Sequence, residues 1–191
     1  MKYLAAVSII AVLSCTKGLT PSIGAEGDMG AKLLRKQCEM PLNIVFDESV
    51  PKEKHASFYN AMNYWEDETG LNLFTFGLTD ATESNTLKLE WAVIAGSMTA
   101  CAVTQYWRQS LSCVGKTSIV VASACAGDWK SEKLESLVRH ELGHALGLGH
   151  SAQPVDVMYP MILGKAWDHP QPASDGAIEE VRKAYEGRSD L

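Results

Sequence analysis

Apolar positions fall at helical spacing in two stretches and at alternate positions in a third. Phe58, Met62 and Trp65 form an i, i+4, i+7 stripe, with Pro51 in the first turn and Gly70 as the stop. Leu134, Leu137, Val138, Leu142 and Ala145 form a second stripe. Ser131 is suited to cap that helix, and Glu132 and Glu135 suit the positive end of its dipole. Leu87, Leu89, Trp91 and Val93 alternate with Lys88 and Glu90, the period of a half-buried strand. Leu42 to Phe46, Leu71 to Phe76, Ala100 to Trp107 and Thr117 to Ala122 are short apolar runs that also read as strands. Helices and strands mix without a repeating βαβ series, so the fold class is α+β.

The chain has 191 residues, which suits a single domain able to bury a substantial core. Its net charge is −6, and the basic residues gather nowhere beyond Lys32 to Lys36, so nucleic acid is not an expected partner. Met1-Lys2 followed by the apolar run Leu4 to Leu13 has the form of an export signal. Two endings are open. Val12-Leu13-Ser14-Cys15 resembles a lipobox with Cys15 as the lipidated residue, whereas cleavage after Ala25 would release a soluble, secreted protein. Residues 1–15 are then a signal peptide, 16–39 a linker or short pro-segment, 40–187 the folded domain and 188–191 a tail. With Cys15 set aside, Cys38, Cys101, Cys113 and Cys125 remain, an even number behind an export signal. Two disulfides with three connectivities follow.

Residues 140–150 read His-Glu-Leu-Gly-His-Ala-Leu-Gly-Leu-Gly-His. On an α-helix four residues advance roughly 400° and about 6 Å, so His140 and His144 share a face and can share one metal ion. Glu141 lies beside the first ligand, placed to hold a water. Gly147 permits positive φ, letting the chain turn and bring in His150 as a third ligand. Three protein ligands leave one position open, the mark of a catalytic rather than a structural zinc site.

The pattern HExxHxxGxxH resembles the metzincin zinc proteases, and Val157-Met158-Tyr159-Pro160 supplies the methionine turn that accompanies it. Within that clan, Ser151 directly after His150 and Tyr-Pro after Met158 resemble the matrixins. Leu42 to Phe46 resembles that family's first strand, Pro51 to Gly70 its first helix, and Ser174 to Tyr185 its last. The resemblance implies a metzincin-like domain: a mixed five-stranded sheet, an active-site helix and a C-terminal helix. It implies a zinc-dependent endopeptidase acting on proteins or peptides, with one catalytic Zn²⁺ on His140, His144 and His150. Glu141 would be the general base for a water activated by zinc. Met158 would pack beneath the ion. Val103 and Thr104 on an edge strand, and Tyr159 and Pro160 beside the methionine turn, would bind substrate, with residues 159–169 walling the main specificity pocket. The implied strand order sets Cys101 beside Cys125 and Cys38 beside Cys113.

The chain also departs from that family. No histidine lies between His55 and His140, and no Asp-rich loop is visible, so neither structural zinc nor calcium is expected. Gly176 and Ala177 stand where the family carries paired aspartates, with Asp175 one place away. His55 and His169 read as surface or packing residues. A monomer is expected, touching a membrane only through a lipid on Cys15. The competing reading is a catalytically weak zinc-binding module for protein interaction, against which the retained Glu141 speaks. A thermolysin-type site, with its third ligand a glutamate on a later helix, is disfavoured by Gly147 and His150.

Overall fold

A computed structural model describes residues 11–14, 31–76, 85–93, 100–110, 112–160 and 169–187, the first four by their main chain alone. The expected lipidation residue Cys15, the cleavage point after Ala25, the pocket wall at 161–168 and the tail at 188–191 lie outside the described residues.

The elements in chain order are β1 (Ala11–Ser14), β2 (Lys36–Gln37), β3 (Leu42–Phe46), α1 (His55–Thr69), β4 (Phe74–Thr75), β5 (Thr86–Ala92), β6 (Ala100–Arg108), β7 (Cys113–Ala122), α2 (Ser123–Ala126), α3 (Ser131–Ala145) and α4 (Asp175–Tyr185). They form one mixed sheet in the order β1-β6-β7-β5-β3-β4, with β2 paired to the start of β7. β3, β4, β5 and β7 are mutually parallel, whereas β6 runs antiparallel to β7. The five expected strands are all present, joined by β1 and β2. The fold is therefore α+β, as the residue pattern implied.

Packing follows the apolar stripes. Phe58 and Trp65 of α1, and Leu134, Leu137, Val138, Leu142 and Ala145 of α3, are fully buried. Leu87 and Leu89 join them from the sheet. On the opposite face of β5, Lys88 bonds Asp47 at 2.7 Å and Glu90 at 2.8 Å. Trp65 Nε1 donates to the Arg139 carbonyl at 2.9 Å, which fixes α1 against α3.

Three local readings shift. β4 spans two residues, shorter than Leu71 to Phe76, and at its start the Leu73 and Phe74 amides donate to Glu66 Oε1 at 2.9 and 3.0 Å. Ser131 is the first residue of α3 and Lys130 its cap, so the start moves by one position. Val93, read as the last inward residue of its strand, lies beyond the end of β5 and is exposed.

Residues 31–37, within the expected linker, pack on the fold. Ala31 is buried, and the Leu34 amide donates to the Gly147 carbonyl at 2.8 Å. β2 brings Cys38 to the start of β7, where its amide meets the Val114 carbonyl at 2.8 Å. The bridges are Cys38–Cys113 and Cys101–Cys125, with Cα separations of 5.0 and 5.2 Å. Among the described residues, no helix is long and apolar enough to cross a membrane.

Candidate metal centre

α3 carries His140, Glu141 and His144 within its last two turns. It ends in a Schellman arrangement. The Gly147 amide donates to His144 O at 2.8 Å and the Leu148 amide to Gly143 O at 2.9 Å. Gly147 sits at φ +100°, and a Cβ there would stand 1.9 Å from the Arg35 carbonyl oxygen. The expected turn and the packed residues 31–37 thus both require glycine at this position.

Beyond the turn, His150 comes back beside the helix. Ring centroids of His140, His144 and His150 lie 4.6, 4.8 and 5.4 Å apart, pair by pair. Their ligating atoms all fall within 4.8 Å of one another, and His144 Nε2 is 3.2 Å from His150 Nε2. Two nitrogens each ~2.0–2.1 Å from one tetrahedral zinc ion would stand about 3.3 Å apart. The spacing therefore fits a shared ion.

The tautomers fit as well. His140 Nδ1 lies 2.6 Å from the Val157 carbonyl, and His144 Nδ1 lies 2.9 Å from the Leu148 carbonyl. A carbonyl only accepts, so each Nδ1 carries the proton and each Nε2 presents a lone pair. Burial keeps the rings neutral. It drives His140 well below the ordinary imidazole value, takes His144 down to about 3, and lowers the more exposed His150.

The methionine turn supports this cluster from below. Asp156 Oδ1 accepts from the Met158 amide at 2.8 Å, and the Ser151 amide donates to Met158 O at 2.9 Å. Val157, the partner of His140, is held by its amide on Pro172 O at 2.7 Å. The Met158 side chain is fully buried against Gly143, where an added Cβ would meet its sulfur at 2.3 Å. Gly143 supplies no ligand in the metal motif, yet a glycine in mid-helix is itself a sequence signal of close packing.

Glu141 is fully buried, and desolvation pushes its carboxyl up to about 8, with the Thr104 hydroxyl pulling the other way. Thr104 Oγ1 donates to Glu141 Oε2. Nothing in the sequence pattern marked that contact, because it joins a strand to a helix 37 residues away.

The other expected site residues are scattered around this core. Val103 and Thr104 lie on β6 with buried side chains, and their main chain is in register with Val12 and Ala11 of β1. Tyr159 is buried, and Pro160 half-buried, directly after Met158. His55 stacks on Phe46 at 4.2 Å between ring centroids, and exposed His169 accepts from Ser136 through its carbonyl, so both are packing or surface residues.

Two known proteins match parts of this chain. Matrilysin from Rattus norvegicus is 46% identical over 54 residues, covering 27% of this chain and 19% of that protein. Metalloendoproteinase 1-MMP from Arabidopsis thaliana is 62% identical over 29 residues, covering 15% of this chain and 8% of that protein. The chain thus matches less than a fifth of the length of either relative. The family model for matrixins (peptidase M10) matches residues 43–185, from β3 through α4, and so takes in the metal cluster, Glu141 and the methionine turn. A match over most of the chain, on a fold that gathers three histidines beside a glutamate, makes this chain a member of the matrixin family.

Proposed function

We propose that the chain is a zinc-dependent endopeptidase that hydrolyses peptide bonds of extracellular or cell-envelope proteins. The observation that carries this reading is the convergence of His140, His144 and His150 at ion-sharing distance, with Glu141 on the same helix. The plant relative is a metalloendoproteinase by name, which agrees with it. His140, His144 and His150 would hold one Zn²⁺, which when bound supplies a Lewis acid that lowers the pKa of water and polarises a carbonyl. Glu141 takes the proton of the attacking water and delivers it to the leaving amine. Beside a bound Zn²⁺ the Glu141 carboxyl, about 8 in the metal-free chain, would fall and stand ionised, able to accept that proton.

The outer edge of β6 binds the substrate by main-chain hydrogen bonds through Val103 and Thr104. The capacity of that edge to take an extended chain has support in β1, which lies antiparallel upon it with Ala11 opposite Thr104 and Val12 opposite Val103. Tyr159 and Pro160 contribute to the neighbouring pocket. The protein is exported through residues 1–15 and acts either lipid-anchored at Cys15 or secreted, as a monomer.

Cleavage of casein or a peptide library, with and without a zinc chelator, tests the reading. Chelator-sensitive hydrolysis is expected. Metal binding without hydrolysis would instead support a zinc-binding interaction module, a reading that the complete burial of Glu141 favours. Cleavage-site profiling on the same preparation identifies the substrate class.

A further inference from the structure

Alternate residues of β6 face the active-site helix. Thr104 is fully buried and Tyr106 nearly so, and Tyr106 Oη donates to the His144 carbonyl at 2.9 Å. Thr104 Oγ1 lies 3.3 Å from the Glu141 carbonyl and closer still to its carboxylate oxygen Oε2. A hydroxyl has one proton to give, and the nearer, carboxylate oxygen takes it. The second oxygen, Glu141 Oε1, is buried and has no hydrogen-bond partner among the described residues. The two oxygens of the carboxyl group are therefore unequal: one accepts from the sheet, and the other has no partner among the described residues.

We propose that Thr104 is a positioning residue that anchors Glu141 through Oε2 and thereby dedicates Oε1 to proton transfer. The proposal rests on the peptidase reading above. It also gives β6 a double task. The main chain of Thr104 is in register with the extended strand on the outer edge, while its side chain holds the base. A peptide docked on that edge is thus referenced to the same residue as the group that deprotonates its attacking water. A carboxylate free to rotate would spend part of its time with neither oxygen in place, and misplacement of this kind costs rate rather than affinity.

The test compares T104V, which removes the donor while keeping the branched shape, with T104S, which keeps the donor. T104V should lower kcat about 10- to 100-fold, the worth of one hydrogen bond to a charged group, and leave KM within about twofold. T104S should recover most of kcat. In the E141Q background, adding T104V should cost nothing further. Zinc content and the visible spectrum of the Co²⁺-substituted protein should be unchanged in T104V. T104A, which adds no atom to the strand–helix contact, gives the same comparison should T104V not fold.

A readout independent of turnover is the urea midpoint of the metal-free protein. T104V should lower it when Glu141 is present and not when Glu141 is replaced by Ala. A wild-type kcat in T104V, an equal loss in T104S, or additive midpoint shifts would overturn the assignment of Thr104. Absence of chelator-sensitive cleavage in the wild-type chain, with non-additive midpoint shifts retained, would instead overturn the peptidase reading.

Discussion

Single residues set the tolerances of the centre. Gly143 lies between the two helical histidines, and a methyl group there would run into the Met158 sulfur at 2.3 Å and the Trp65 ring at 3.0 Å. Gly143→Ala should destabilise the fold by about 1–3 kcal/mol through overpacking, in spite of alanine's better helix propensity. Chemical denaturation measures this. Adding Met158→Ala should return part of the loss, and a G143A protein as stable as the parent would show that Met158 does not fill that space. Glu141→Ala separates binding from chemistry. It should retain zinc while losing about 10²- to 10⁴-fold in turnover, the range of a general base. Metal analysis beside a rate assay reads both, and unchanged turnover would remove Glu141 as the base.

At the scale of elements, the third ligand depends on what holds the end of α3. Tyr185 of α4 accepts from the Gln37 amide at 3.1 Å and donates to the Leu146 carbonyl at 2.8 Å, so one hydroxyl ties β2, α3 and α4 together. Gln37 Nε2 reaches the Thr117 hydroxyl at 3.1 Å and the Ala145 carbonyl. Tyr185→Phe should cost about 1–3 kcal/mol, since it leaves a buried carbonyl short of its donor. It should also speed hydrogen exchange at the Leu34 and Gly149 amides, which donate to the Gly147 and Lys32 carbonyls and so tie residues 32–34 to the segment leading into His150. Exchange at those amides unchanged from the parent would mean that residues 31–37 hold the turn without Tyr185. This layer was barely legible beforehand. The stripes on α1 and α3 and the alternation on β5 are short-range periodicities, and the metal motif occupies eleven consecutive residues, so all of them could be read along the chain. Gln37, Thr104 and Tyr185 act across separations of 108, 37 and 39 residues, each through one polar atom that follows no period.

For the whole molecule, buried ionisable groups set the response to pH. In the metal-free protein His140, His144 and His150 are all held below the ordinary imidazole value of 6.5, His144 to about 3. Below about pH 6.5 the unfolded chain therefore binds protons that the folded chain refuses, and stability falls as pH falls. Glu141 acts in the opposite sense. Its folded value of about 8 lies above the ordinary 4.5, so from about pH 4.5 to 8 the folded state holds a proton that the unfolded state has released. Stability contributed by that protonated carboxyl declines as pH rises through this window. Between pH 4.5 and 6.5 three histidines oppose one glutamate, and the histidines prevail. Between 6.5 and 8 Glu141 acts alone among these four. The chelated protein should accordingly show its highest melting temperature near pH 6.5, falling steeply on the acid side and gently on the alkaline side. Zinc competes with protons for the same imidazole nitrogens, so the zinc-loaded protein should hold its melting temperature to lower pH than the chelated one. Melting curves from pH 4 to 9, with and without chelator, measure both effects. Acid limbs that coincide in the two preparations would mean that His140, His144 and His150 do not bind the ion.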